Sequence, residues 1–534
     1  MTTRQHLAPD IRAFPSDLSL VLCLLAATVL TGDLFYSLWM AEMQAPLDCT
    51  VGQVINCPKD AGAVFSGTVK HLTVLLLPGP TAYQIVAFRR IQRSTPVAET
   101  PIRGGTRAVQ RLVLEAGLRR EPKVMVDPKL RAGAYVTGLV GGPPFLMLGP
   151  ELLALRGKDE SSRRIFEAVV RHEIAHLQGN DRQLYTVMTA LRWSNLHAGA
   201  FIAFAVTLDP PELGRAATLV QILLLIVLGE LITRAYLRFR EHHADLHAGL
   251  ADRDGLMTAL HTDDSGAAVK LQTWLRHHPV GRERLDVLEV PGRILASSPG
   301  LVFLGATTAG VLLATLQDML TRFYGPRDKL FSPFLCGLLV GLGLTVFLAF
   351  TLWRHQWYAG TTNVVRIVST AVLAAAGIPA GTWIAPYTQV SGYGISGFPL
   401  APSALAALIV GMLLLCGWLT LLGALWFRGD PHAERIPQFL RLAVPSACVF
   451  GGWMFIVLWT WVNVLRRVMV TCSIPEYTCV STAPERDVAA LITRVFGPGP
   501  IMTIVALVAL VVPLSIWSWN ALRSPARARE RLRK

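Results

Sequence analysis

The residues best suited to chemistry stand in the stretch HEIAH, residues 172–176. On a helix, His172 and His176 lie one turn apart, so both imidazoles project from one face and can bind one metal ion. Glu173 stands beside them, where it can take a proton from a zinc-activated water. This spacing indicates a zinc-dependent hydrolase, and the alternative is a surface helix with an ordinary polar face.

The sequence also predicts the elements that position this stretch. Acids and serines from Asp159 onward are typical of a helix start, and Gly179 with Asn180 is typical of a helix end. A helix over 107–121 and three short strands, KVMVD, AYVTGL and PFLMLG, are predicted before it. We therefore expect a small α+β domain around a metal-binding helix.

A catalytic zinc needs a third protein ligand and one open position. The metzincin pattern HExxHxxGxxH would supply a third histidine three residues after Gly179, but Arg182 stands there and cannot bind a metal. That class of peptidase is excluded. The third ligand must come from further along the chain, and the stretch RFREHHADLHAG, residues 238–249, is the obvious source.

The apolar run before this stretch predicts a helix that continues into it. Projected on such a helix, Glu241 and Asp245 fall on one polar stripe with Glu230 and Arg234, and a polar stripe on a membrane helix faces protein or a wet cavity. We therefore expect Glu241 to be the third ligand and Asp245 to orient one imidazole. Glu230 and Arg234 are expected to form an internal ion pair. Three histidines point elsewhere and are expected to be bystanders: His242, His243 and His247.

Composition predicts a mainly α, polytopic membrane protein with about ten transmembrane helices. The mean hydropathy is +0.44, and only 16% of the residues are charged. The net charge of +14 is attributed to cytoplasmic flanks, and no nucleic-acid partner is expected, because no soluble segment has a basic face interleaved with aromatics. The predicted spans are about 18–39, 66–88, 190–208, 216–237, 299–320, 331–353, 364–386, 402–427, 443–464 and 499–520.

Basic flanks predict the orientation of these spans. FRRIQRS, RHQW and the tail RSPARARERLRK favour the cytoplasm, which places both termini and the metal site on that side. The basic residues at 321–329 and 466–467 disagree with this topology. Four cysteines fall in the predicted outer loops, where they could close two disulfides or remain reduced: Cys49 with Cys57, and Cys472 with Cys479.

The order of the motifs resembles the HtpX-type and CAAX-prenyl-protease-type membrane zinc metallopeptidases, which are HExxH gluzincins. HEIAH is followed by Asp181 and then by Glu241-x-x-Ala-Asp245, as in that family. AGAYVTG at 132–138 is similar to the strand motif of the family, although Gly133 stands where asparagine is usual. HPVGRERL at 278–285 resembles its His-Pro…Arg motif.

The resemblance implies one zinc ion per chain, bound by His172, His176 and Glu241, with Glu173 as general base and acid. It places Asp181 in a supporting position like that of Asp245. It also implies that AYVTG or its neighbour is an edge strand that pairs with an extended substrate.

The resemblance brings two further residues close to the active site. His278 and Arg284 match family positions from which they would stabilise an oxyanion or brace Glu241.

Three regions are predicted: a membrane anchor at 1–88, a metallopeptidase domain at 89–298 with two embedded spans, and a six-span domain at 299–534. We expect an endopeptidase of the bacterial plasma membrane that cleaves membrane or membrane-proximal polypeptides. An antirepressor-type signal transducer is disfavoured by the short outer loops, and a non-catalytic scaffold by the complete ligand set. A permease is disfavoured because few ionisable residues lie deep in the last six spans. No oligomeric state is predicted.

Overall fold

A computed structural model gives the structure of this chain. The residues that it describes are 17–44, 66, 69–70, 73–74, 77–99, 105–118, 120–130, 133–139, 141–208, 214–263, 279, 281–290, 298–324, 331–359, 363–385, 402–427, 436–472, 511 and 515.

The chain divides into two compact units. One comprises residues 70–200 and 229–294 and contains HEIAH, and the other comprises 1–69, 201–228 and 295–534.

A four-stranded sheet organises the first of these units. Its strands are β1 (Thr95–Pro96), β2 (Lys123–Val126), β3 (Ala134–Thr137) and β4 (Phe145–Leu148), in the order β1-β2-β4-β3. The pair β2 and β4 is parallel, and the other two pairs are antiparallel. The three strands expected from the sequence are confirmed, and β3 is an edge strand as expected.

Eight described helices have residues in this unit. They are α2 (Pro78–Arg93), α3 (Gly105–Glu115), α4 (Pro150–Leu155), α5 (Glu160–Gln178), α6 (Asp181–Leu208), α7 (Gly214–Gly249), α8 (Arg253–Asp263) and α9 (Gly281–Glu289). The predicted helix at 107–121 is confirmed as α3, with an earlier end. The predicted helix around HEIAH is confirmed as α5.

Helix α5 begins and ends as its sequence predicts. The Asp159 carboxylate accepts a hydrogen bond of 2.7 Å from the backbone N–H of Ser162, which satisfies a donor that the helix start leaves open. At the other end Asn180 adopts a φ of 58°, the left-handed conformation that commonly stops a helix. The chain then turns directly into α6.

The apolar face of α5 fixes this helix in the core. Phe166, Val170 and Ile174 recur at four-residue spacing and are buried in one cluster with Leu146 and Leu148 of the sheet. Burial of large apolar side chains stabilises such a cluster by about 1.5–3 kcal/mol for each. The helix that carries HEIAH therefore has a fixed position against the sheet.

The second unit is helical in its described residues. Its helices include α1 (Asp17–Gln44), α10 (Pro299–Tyr324), α11 (Phe331–Ala359), α12 (Val364–Ile384), α13 (Pro402–Phe427) and α14 (Ile436–Cys472).

Six described helices are long and apolar enough to cross a membrane: α7 and α10 to α14. They correspond to six of the predicted spans. By the length and composition of these helices, the protein is an integral membrane protein. Of the other four, 18–39 lies in α1, 190–208 in α6, and 66–88 overlaps α2. Of the predicted span at 499–520, only residues 511 and 515 are described. Three of the four cysteines expected in outer loops lie outside the described residues, as does the side chain of the fourth: Cys49, Cys57 and Cys479, and Cys472.

Two glycines bring α10 and α12 into close contact. A methyl group on Gly381 would overlap the backbone oxygen of Thr307, and one on Gly310 would overlap that of Ile378. Small residues allow this approach, and close packing is a principal attraction between helices in lipid.

We expect Gly381→Ala to destabilise this unit by about 1–3 kcal/mol, because the added methyl group must separate the two helices. Thermal unfolding in detergent would measure the change. Gly417→Ala is the matched control, since a methyl group there meets no atom within 4 Å. Equal midpoints for wild type and Gly381→Ala would contradict the expected clash.

Candidate metal centre

Three side chains from two helices converge on one point. The Nε2 atoms of His172 and His176, both on α5, lie 3.1 Å apart. Glu241, on α7, places one carboxylate oxygen 3.5 Å from Nε2 of His172 and the other 3.6 Å from Nε2 of His176. Taking one ligand atom from each residue, the three atoms lie within 4.8 Å of one another. Tetrahedral zinc with bonds of about 2.0–2.1 Å has ligand atoms roughly 3.3 Å apart, so a small movement of these side chains would fit the ion.

The histidines that follow Glu241 are arranged differently. The ring of His243 lies 6.3 Å from the ring of Phe239 and 6.5 Å from that of His247, centroid to centroid. None of the histidines of this stretch belongs to a second three-residue group with metal-binding geometry among the described residues.

Asp245 orients His172. One Asp245 oxygen lies 2.9 Å from Nδ1 of His172, and the side chain of Asp245 is completely buried. Arg284 on α9 donates two hydrogen bonds to this carboxylate, at 2.7 Å and 2.5 Å. A guanidinium fork keeps a buried carboxylate ionised, so in the metal-binding form of His172 the proton would stay on Nδ1 and Nε2 would offer its lone pair.

Asp181 contacts His176 in a similar way. Its Oδ2 lies 2.6 Å from Nδ1 of His176, and its Oδ1 lies 2.5 Å from Nη2 of Arg240. The sequence predicts both aspartates and Arg284 near the site, but not Arg240. The only signal was its place beside Glu241, where a charged residue on a helix is unremarkable.

Glu173 is buried next to the two histidines, and 8% of its surface is exposed. Burial raises the pKa of its carboxyl, while the neighbouring imidazoles of His176 and His172 act in the opposite direction. A carboxylate with a raised pKa is a stronger base, which suits a group that must take a proton from water.

The potential at the centre favours positive charge. Burial by itself lowers the pKa of His172, but the carboxylates of Asp245 and Glu241 outweigh it and raise this pKa to about 10. Groups that hold a proton so firmly in a buried site also favour a metal cation between the same ligand atoms.

Residues 106–291 match the model of peptidase family M48. The metallopeptidase resemblance is confirmed. A protease HtpX homolog of Pyrococcus abyssi (strain GE5 / Orsay) is 30% identical over 186 residues, which is 33% of this chain and 58% of the relative. One of Bacillus subtilis (strain 168) is 27% identical over 161 residues, 29% of this chain and 52% of the relative. The chain thus spans just over half the length of these curated relatives, and no solved structure matches it significantly.

Strand β3 is the outermost strand of the sheet on one side within the described residues of the M48-like segment. Tyr135 of this strand donates a hydrogen bond of 2.8 Å to Asp127, and the guanidinium of Arg90 lies 5.6 Å from the centre of its ring. Strand β3 also contacts α5, which carries HEIAH. His278, the other residue expected nearby, lies outside the described residues.

An ion pair lies on the polar stripe of α7 that also carries Glu241 and Asp245. Nε of Arg234 lies 2.6 Å from Glu230, which confirms the pair expected from the sequence. Arg192 of α6 adds a second cation to this carboxylate, at 2.9 Å. These side chains join the two helices that carry Asp181 and Glu241.

We expect Glu241→Ala to weaken zinc binding by more than about 100-fold, because even outer-shell changes reduce metal affinity 10- to 100-fold. The matched control changes His242, His243 and His247 together to alanine and should retain zinc. Metal analysis of the purified proteins would measure both. Zinc loss in the triple variant with retention in Glu241→Ala would contradict the assignment.

Proposed function

We propose that the protein is a membrane zinc endopeptidase. The observation that carries this proposal is the convergence of two imidazoles and one carboxylate at zinc spacing, with the buried Glu173 beside them. The M48-like segment supports the same reading. His172, His176 and Glu241 would hold the ion and leave one position open for substrate and water.

When bound, zinc would polarise the peptide carbonyl and lower the pKa of water. Glu173 takes one proton from the attacking water, whose oxygen forms a bond to the carbonyl carbon. The peptide C–N bond then breaks, and Glu173 returns the proton to the departing amine. Water thus adds across the peptide bond, and Glu173 is regenerated.

The remaining predicted residues act around this chemistry. We assign Asp181 and Asp245 to hold the imidazoles in one tautomer, supported by their short contacts to Nδ1. Arg284 braces Asp245, supported by its two hydrogen bonds. His278 is proposed, by resemblance alone, to stabilise the oxyanion or to brace Glu241.

We propose polypeptides as substrates, with segments in or near the membrane preferred. One continuous helix, α7, carries both a membrane-length apolar stretch and Glu241, so cleavage would occur close to the bilayer. The basic flanks support a cytoplasmic active site in a bacterial plasma membrane. The proposed regions are 1–88 as anchor, 89–298 as peptidase and 299–534 as a membrane module.

We expect Glu173→Gln to lower the cleavage rate by about 10²–10⁴-fold, because the amide cannot accept the proton of the attacking water. Zinc content should stay at the wild-type level, since Glu173 is not one of the ligands. Cleavage of an unfolded membrane protein in detergent, followed by electrophoresis, would measure the rate.

Glu160→Gln provides the matched control, because Glu160 lies on the same helix with 60% of its side chain exposed. It should cleave at the wild-type rate, and a chelator should stop cleavage until zinc is restored. Full activity in Glu173→Gln would overturn the assignment of this residue, and chelator-resistant cleavage would overturn the metal dependence.

A further inference from the structure

We propose that Arg240 is a positioning residue for the metal centre: it holds the Asp181 carboxylate so that His176 presents Nε2 to the metal. This inference rests on the proposed zinc site and adds a residue that the motifs do not contain. Arg240 acts through Asp181 and has no direct part in the chemistry.

The contacts form a chain that leads from Arg240 to the ligand atom. Nη2 of Arg240 lies 2.5 Å from Oδ1 of Asp181, and Oδ2 of the same carboxylate lies 2.6 Å from Nδ1 of His176. Only 16% of the Arg240 side chain and 11% of the Asp181 side chain are exposed. At this burial salt screens the attraction between the two charges only weakly.

Arg240 determines where the Asp181 carboxylate lies. Its guanidinium presents N–H donors in a fixed, planar geometry, and Nη2 contacts Oδ1 of Asp181. Oδ2 is thereby directed at Nδ1 of His176, and Nε2 of the same ring faces His172 and Glu241.

The identity of residue 179 supports this role independently. A methyl group on Gly179 would overlap Nη2 of Arg240 and would lie 3.0 Å from Oδ1 of Asp181. The φ of Gly179 is −76°, which any residue adopts, so the backbone does not require glycine here. The space above Gly179 is filled by the guanidinium.

Arg240, which contacts Asp181, is adjacent to Glu241 on α7. The same turn of helix supplies the third metal ligand and the cation that orients the second one. Correct placement of α7 against the turn between α5 and α6 therefore sets both at once. Arg284 has the equivalent position for His172, but it comes from a different helix, α9.

The test measures Zn²⁺ affinity and the visible spectrum of bound Co²⁺ in the purified full-length protein. We expect Arg240→Gln to weaken Zn²⁺ binding 10- to 100-fold and to change the Co²⁺ spectrum, as loss of an outer-shell partner does. Gly179→Ala displaces the guanidinium without removing it and should give a smaller change in the same direction. Arg240→Lys keeps the charge and should recover part of the affinity.

The matched control is Arg163→Gln, which breaks an exposed pair with Glu160 on the same helix as HEIAH. It should bind both metals like wild type. Thermal unfolding of the metal-free variants identifies any that fail to fold. If Arg240→Gln fails to fold, the metal affinities of Gly179→Ala and Arg240→Lys are compared with that of wild type instead.

A double-mutant cycle separates positioning from a general structural role. If Arg240 acts through Asp181, Arg240→Gln should change the Zn²⁺ affinity of an Asp181→Asn protein by less than about twofold. Independent losses in the cycle, or wild-type affinity and spectrum in Arg240→Gln, would overturn the inference and leave the zinc site intact. Failure of wild type and Arg163→Gln to bind Zn²⁺ would overturn the proposed zinc site itself, and this inference with it.

Discussion

The site depends on one requirement: the lone pairs of two imidazoles and a carboxylate must meet within about 3.3 Å of one another. His172 and His176 satisfy it through helical spacing alone, because one turn separates them. Glu241 satisfies it only because a second helix, α7, brings its carboxylate to the two imidazoles. The apolar face of α5 packs against the sheet and keeps the two imidazoles where Glu241 can reach them.

Charge balance follows from this requirement. Four carboxylates surround the centre and two guanidinium groups pair with them, so two negative charges are left when all are ionised. A divalent cation would neutralise that excess. Buried charges of one sign are costly without a counterion, so the local electrostatics, like the ligand set, favour a metal ion at this site. The carboxylates are Glu173, Asp181, Glu241 and Asp245, and the guanidinium groups are Arg240 and Arg284.

The two aspartates have similar roles but different supports. Asp245 is held on both oxygens by Arg284, whereas Asp181 divides its oxygens between Arg240 and His176. Each imidazole therefore has its Nδ1 beside a carboxylate oxygen and its Nε2 toward Glu241. A neutral imidazole that binds a metal through one nitrogen donates a proton through the other, so these contacts suit two metal ligands.

The sequence determined the local features of this protein, because they depend on residues a few positions apart. The spacing of HEIAH, the ends of α5, the strands of the sheet and six long apolar helices all follow from such patterns. Projection along α7 also separated Glu241 and Asp245 from the neighbouring histidines, since one helix sets their angles. Tertiary structure alone decided which distant charges meet: Arg284 with Asp245, and Arg240 with Asp181. Those pairings depend on how separate helices pack, and no spacing within one segment encodes that contact.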